Sequence, residues 1–214
     1  MRVRVHQHVN PLSPFYRQEP QSIQIKRVFA DPTLPLHLDI GCARGRFLLK
    51  MARIEPGWNF LGVEIRQPLV DEANRIAAEE HLQNLHYAFA NAMLWLDTLL
   101  REVPQGMLKM VTIQFPDPWF KRKHSKRRMV NKELVETIAA KLAYDGNIFV
   151  QTDIEVLAVE IFELFQNNRN LEEYAVPENL FPVKTEREIA VEERNMSVYR
   201  AMWQKPDREG GLSA

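Results

Sequence analysis

Between residues 36 and 167, short apolar runs alternate with stretches whose apolar residues recur at helical spacing. Residues 36–41 read as a buried strand, and residues 47–54 as a helix with Phe47, Leu48, Met51 and Ile54 on one side. The pair then repeats: strands over 58–65 and 84–90 lead to helices over 69–81 and 92–100. A strand over 109–115 leads, after a polar loop, to a helix over 131–143 with Leu134, Ile138 and Leu142 at helical spacing, and 146–152 leads to 154–167. Such alternation predicts an α/β fold with a mostly parallel sheet covered by helices on both faces. Residues 171–176 and 197–203 break the rhythm. They read as a C-terminal antiparallel strand pair around a charged, helix-poor stretch at 177–194, which brings the sheet to seven strands.

The chain's 214 residues suit one domain, expected over 36–205. The preceding segment, 1–35, is punctuated by Pro11, Pro14, Pro20, Pro32 and Pro35 and reads as an irregular, mildly basic arm; 206–214 reads as a frayed tail. One cysteine excludes an internal disulfide and a Cys-based zinc site. His6 and His8 form an H-x-H pair with no third ligand in view, so no metal is expected. No stretch approaches 18 apolar residues and the first ten residues carry no apolar leader core, so the expectation is a cytoplasmic protein with no membrane partner.

In an open parallel sheet, ligands bind where the strands end, and small residues there let a ligand approach the backbone. Gly41 and Gly45 fill that role in the first strand-to-helix turn, Leu38-Asp39-Ile40-Gly41-Cys42-Ala43-Arg44-Gly45. Glu64, ending the second strand, is placed to hold the ribose hydroxyls of a nucleotide-type cofactor. These residues alone leave a nicotinamide cofactor and S-adenosylmethionine both open. Two features then favour the second. The full G-x-G-x-x-G is missing, so a pyrophosphate is poorly cradled. Asp39, a carboxylate at the end of the first strand, suits a cationic amino-acid moiety. Asn91, after the third strand, reads either as an acceptor for an adenine amino group or as a helix N-cap. Cys42 has no adjacent histidine and reads as small buried filler rather than a nucleophile.

The fourth strand runs into Phe115-Pro116-Asp117-Pro118-Trp119-Phe120 and then a basic run. Six of the eight residues from Lys121 to Arg128 are Lys or Arg and none is acidic, which leaves 22 basic against 28 acidic residues elsewhere in a chain of zero net charge. A charge run is ordinarily a solvated helix face. This one follows a strand that ends at the ligand edge of the sheet, which favours contact with a phosphate backbone. Asp117 is either a turn former between prolines or a carboxylate aimed into the pocket; Trp119 either stacks on a base or packs beneath the loop.

With these segments in view, the chain resembles the bacterial tRNA guanine-N7 methyltransferases. The likeness rests on Leu38-Asp39-Ile40-Gly41-Cys42, on Pro116-Asp117-Pro118-Trp119 with its tail Lys126-Arg127-Arg128, on Gln151-Thr152-Asp153, and on Thr185-Glu186-Arg187-Glu188, and it covers roughly residues 36–204. It implies a class I methyltransferase (Rossmann-like) fold, S-adenosylmethionine as methyl donor without a metal, and tRNA as partner, modified at N7 of guanosine 46 in the variable loop. It implies cofactor contacts from Asp39, Glu64, Asn91 and Asp117, with Gly41 and Gly45 in the turn, and Asp117 as the catalytic residue. It assigns RNA contacts to Lys121, Lys123, Lys126, Arg127, Arg128, Asp153, Thr185 and Glu188. No obligate protein partner is expected, with the chain acting as a monomer or homodimer. The chain departs from many members at Ala43, where they carry glycine. Enzymes that methylate exocyclic amines, with Asp-Pro-Pro-Tyr-like motifs, are a rival that Asp117-Pro118-Trp119 matches imperfectly. A non-enzymatic RNA-binding protein would leave Gly41, Gly45, Glu64 and Asn91 unexplained.

Overall fold

The computed structural model of the chain describes residues 9–119 and 126–207. Seven strands form one sheet: β1 (Leu36–Ile40), β2 (Asn59–Glu64), β3 (Leu85–Phe89), β4 (Leu108–Gln114), β5 (Asn147–Thr152), β6 (Glu172–Tyr174) and β7 (Tyr199–Gln204), in the order β3-β2-β1-β4-β5-β7-β6. β3 to β5 in that order are parallel neighbours, and β7 runs antiparallel to both β5 and β6. The predicted terminal strand pair is therefore present, with the later strand seated inside. Trp203 of β7 explains the seat: it is fully buried and stacks on Phe165 at 4.7 Å between ring centroids, with Phe162 edge-on at 5.6 Å.

Helices cover both faces. α4 (Ala92–Leu99), α5 (Lys132–Lys141) and α6 (Glu155–Gln166) pack together on one side, where Leu96, Leu134, Ile138 and Ile161 meet Leu38, Ile40, Val111 and Val150 of the central strands. α2 (Arg46–Ile54) and α3 (Gln67–Glu79) close the other side with Phe47, Leu48, Met51 and Val70 over Phe60, Leu85 and Tyr87. Every residue of β1 and β2 is buried, as strands with both faces covered require. Asn131 caps α5 by accepting from the Leu134 N–H at 2.8 Å, and Pro68 opens α3, where a missing N–H costs nothing.

Two stretches differ from the sequence reading. The helix-poor segment 177–194 contains α7 (Glu186–Glu192). Its apolar content is too low for a periodic signal, but Thr185 and Glu188 form a complete capping box: the Thr185 hydroxyl accepts from the Glu188 N–H at 3.0 Å and the Glu188 carboxylate from the Thr185 N–H at 3.4 Å. The proline-rich segment before β1 holds a 3-10 turn at Pro14–Arg17 and a short α1 (Ile25–Val28). It also inserts Ile23, Ile25 and Phe29 into the larger core, with the Ile23 N–H donating to the Leu99 carbonyl at 2.9 Å. Among the described residues no helix is long and apolar enough to cross a membrane.

Phe29 is 4% exposed. Phe29→Ala is expected to lower unfolding free energy by about 3 kcal/mol in urea denaturation. A loss below about 1 kcal/mol would mean that the segment before β1 rests on the domain without being part of its core.

Candidate active site

The carboxyl ends of β1, β2 and β4, together with the loop after β3, open into a cavity of about 860 Å³, closed on one side by Val9 and Pro11 and on the other by the start of α7. Its floor is the turn between β1 and α2. Gly41 and Gly45 have φ of +82° and +68°, and Ala43 between them lies at +51°, so the turn uses left-handed backbone three times. Gly45 is also sterically required: a Cβ there would collide with the ring of Tyr87, whose hydroxyl donates to the Gly45 carbonyl at 2.6 Å. Burial pushes the Tyr87 phenol up, so it remains a donor. Tyr87 thus supports the turn from β3, although nothing in the sequence distinguishes it from an ordinary core aromatic.

Two buried carboxylates stand side by side on this floor. Asp39 accepts from the Thr112 hydroxyl at 2.7 Å and from the Gln114 amide at 3.4 Å. Behind Thr112 lies His37, its Nε2 at 3.1 Å from the same hydroxyl. Burial holds His37 neutral, with a pKa of about 3, so its ring is available as a donor to Thr112. Burial raises the Asp39 pKa to about 6, against the two hydrogen bonds, and the nearby Glu64 pushes in the same upward direction. Glu64 accepts from the Ala43 N–H at 3.0 Å and forms a bidentate pair with the Arg66 guanidinium at 2.8 and 3.0 Å. Burial, together with Asp39 and Glu64, pushes the Cys42 thiol up, as suits inert filler rather than a nucleophile.

Asn91 occupies the N-cap position of α4, but its side chain makes no capping bond. Its amide instead donates to the Pro11 and Tyr16 carbonyls at 2.9 and 3.2 Å, tying the segment before β1 to the pocket wall. That use of the nitrogen leaves the amide oxygen as the group able to accept from a ligand.

Opposite this floor, Asp117 is exposed and lines the cavity. The loop that carries it is bracketed by Phe115 and Trp119, with φ of +52° and +42°, values that a glycine would adopt far more cheaply. The Arg127 guanidinium lies 5.0 Å from the centroid of the Trp119 ring, so Trp119 already has a cationic partner within the loop. Lys126 is exposed beside it. Lys121 and Lys123 lie outside the described residues. Arg128, which the sequence groups with the RNA contacts, turns inward: its Nε donates to the Pro118 carbonyl at 2.9 Å and its guanidinium pairs with Glu160.

At the far rim, Asp153 pairs with Arg187, and Glu186 with Arg46. Thr185 lines the cavity; Glu188 lies behind it, engaged by Gln151 at 3.2 Å and Arg200 at 2.8 Å in addition to its capping bond. Thr112, Gln114, Arg66 and Arg200 are residues of this network that the sequence does not single out, and Gln151 enters there only as part of the Gln151-Thr152-Asp153 motif. Thr112 and Gln114 did leave a signal, as polar residues at alternate positions in the otherwise apolar stretch 110–114. Among the described residues no group of three His, Cys, Asp or Glu side chains could hold a metal ion.

Two expectations follow from the floor. Gly45→Ala, carrying both the left-handed strain and the collision with Tyr87, should cost about 3 kcal/mol in a thermal melt; a cost under about 1 kcal/mol would mean that the turn rearranges freely. Asp39, with its pKa raised from 3.8 to about 6, contributes stability that is fully present below 3.8 and lost as pH rises through 6. Asp39→Asn should therefore be more stable than the parent by up to about 3 kcal/mol at pH 8 and gain little at pH 4, read by urea denaturation at both values. An equal gain at both would show that the carboxylate's charge is not the cause.

Comparison with known proteins identifies the family of the chain and, independently, its fold. A family described as "Putative methyltransferase" matches residues 33–201. Curated tRNA (guanine-N(7)-)-methyltransferases match nearly end to end: that of Synechococcus elongatus is 52% identical, over 94% of this chain and 96% of its own length. The protein from Trichormus variabilis is 50% identical over 95% and 96%, and that from Prochlorococcus marinus 41% over 96% and 89%. Among solved structures, the 30S ribosomal A1408 methyltransferase from an uncultured bacterium aligns with a TM-score of 0.55 at 18% identity, over 86% of this chain and 95% of that one. The [4+2]-cyclase SpnF aligns at 0.56 and 14%, over 85% and 79%; at such identities the likeness is one of fold. The chain belongs to the tRNA (guanine-N(7)-)-methyltransferase family.

Proposed function

We propose that the chain transfers a methyl group from S-adenosylmethionine to N7 of guanosine in tRNA, at position 46 of the variable loop, forming 7-methylguanosine and S-adenosylhomocysteine. The observation that carries this reading is an exposed Asp117, on a loop running into a basic segment, at a cavity whose floor holds two buried carboxylates. Membership of the family supports it.

The residues present fit the methyl donor. Two glycines leave the backbone open to it, Asp39 offers a buried acid to its ammonium group, and Glu64 offers acceptors to its ribose hydroxyls once Arg66 yields them. The Asn91 oxygen is placed for an adenine amino group. When bound, the donor supplies an electrophilic methyl carbon on a sulfonium. Guanine N7 carries an in-plane lone pair, so the protein needs to align it and supplies no strong base. Asp117 then orients the base and stabilises the positive charge that grows on the purine, accepting the N1 proton if it is released. Asp153, once Arg187 yields it, accepts from the N1 and N2 edge with Thr185 beside it, while Glu188 supports Thr185 from behind as its capping partner. Lys121, Lys123, Lys126 and Arg127 contact the phosphate backbone and offset the cost of splaying the guanine from its stack. The enzyme works in the cytoplasm, as a monomer or homodimer, with no obligate protein partner.

Incubating the protein with a tRNA transcript and methyl-labelled donor, then digesting to nucleosides, should place the label in 7-methylguanosine. Asp117→Ala should lower turnover about 100-fold while the protein stays folded. Label on an exocyclic amine would replace the reaction assigned here, and unchanged turnover in Asp117→Ala would remove that residue from the chemistry.

A further inference from the structure

Asp117 sits on a strained loop that is anchored on either side of it. Phe115 and Trp119 both sit at positive φ, and the two prolines between them carry no N–H with which to anchor the segment. From the β5 side, one bond fixes it: the Phe115 N–H donates to the Gln151 carbonyl at 2.8 Å. Beyond Asp117 the anchor is Arg128, whose Nε donates to the Pro118 carbonyl at 2.9 Å while its guanidinium pairs with Glu160 in the middle of α6. Arg128 is only 21% exposed at its side chain, unlike a residue waiting for a phosphate. A small cavity of about 30 Å³ lies behind the loop; Asp117, Arg128 and Glu160 line it together with apolar side chains, among them Leu157 and Ile161, so the ion pair and Asp117 border one void.

We propose that Arg128 and Glu160 form a clasp that holds Asp117 at the pocket, making both positioning residues for the methyl transfer rather than parts of the RNA-binding surface. Glu160 is 45% exposed, so the ion pair itself contributes little to stability; its effect is to aim a planar guanidinium. Only arginine satisfies both ends, because Nε serves the carbonyl while the terminal nitrogens serve the carboxylate. A lysine keeps the charge but has one nitrogen for two partners. Glu160 lies outside the main cavity and carries the wrong sign for contact with a polyanion, so it separates the two roles cleanly.

The clasp rests on the role assigned to Asp117 above, and its test is built to fail separately from it. Glu160→Gln and Arg128→Lys should each lower kcat for tRNA methylation about tenfold while leaving KM for tRNA and the salt dependence of tRNA affinity unchanged. In the same variants, hydrogen exchange of the peptide spanning residues 113–119 should rise, a readout that needs no turnover. Unchanged exchange together with unchanged kcat in Glu160→Gln would overturn the clasp. So would a weakened tRNA affinity with a shallower salt slope on replacing Arg128, which would return that residue to the phosphate backbone. Should the parent methylate a different nucleotide atom, the reaction assignment falls while exchange and rate still judge the clasp.

Discussion

A buried carboxylate in the central strand of the sheet has to be satisfied from within, and the way Asp39 is satisfied ties the rest of the site together. Its Oδ1 accepts from Thr112 and Gln114 of β4; Gln114 in turn accepts from Gln151 of β5 at 2.8 Å, and Gln151 reaches Glu188 of α7 and Arg200 of β7. The chain of side chains follows the register: Asp39 faces Thr112, Gln114 faces Gln151, and Gln151 faces Arg200. Slipping any one of these strands by a residue would break a bond in the chain and turn its apolar residues to the wrong face. The polar ends of the strands therefore specify the same alignment as their apolar middles, and the buried acid on the cavity floor is connected to the helix at the cavity's far rim.

The fold was largely legible because its signal is periodic. Five strands and the five helices that follow them carry enough apolar residues for their spacing to declare them, and the observed limits lie within a few residues of those read from the sequence. α7 was missed because its burial is carried by Val191 and by Glu188, a charged residue whose inward position depends on Arg200 and Gln151 from distant parts of the chain. The short capping signal at Thr185 and Glu188 is present in the sequence, but without apolar periodicity beside it the signal does not by itself declare a helix. The segment before β1 was misjudged for a related reason: its prolines mask three apolar anchors, Ile23, Ile25 and Phe29, spaced too irregularly to suggest an element.

For the site, residue identity pointed to the edge of the sheet where the large cavity lies but not to how its groups are paired. Asp39, Gly41, Gly45, Glu64, Asn91, Asp117 and Asp153 all come to one cavity, as the ends of parallel strands dictate. What one-dimensional reading could not supply was the pairing within that cavity: Glu64 held by Arg66, Asn91 bound to the segment before β1, Arg128 facing inward. These depend on side-chain direction, which a basic run or a strand end does not encode. The likeness in fold to a cyclase makes the same point from outside, since a shared sheet leaves the chemistry to the loops at its edge.

The concentration of positive charge after β4 has a consequence for how this molecule meets a polyanion. Residues 121–128 carry six positive charges while the remainder of the chain carries a matching excess of acid, so the whole is neutral but strongly polar. Such a separation of charge gives the molecule a preferred orientation in the field of any polyanion it approaches, so encounter and orientation are coupled, and the coupling weakens as salt screens the field.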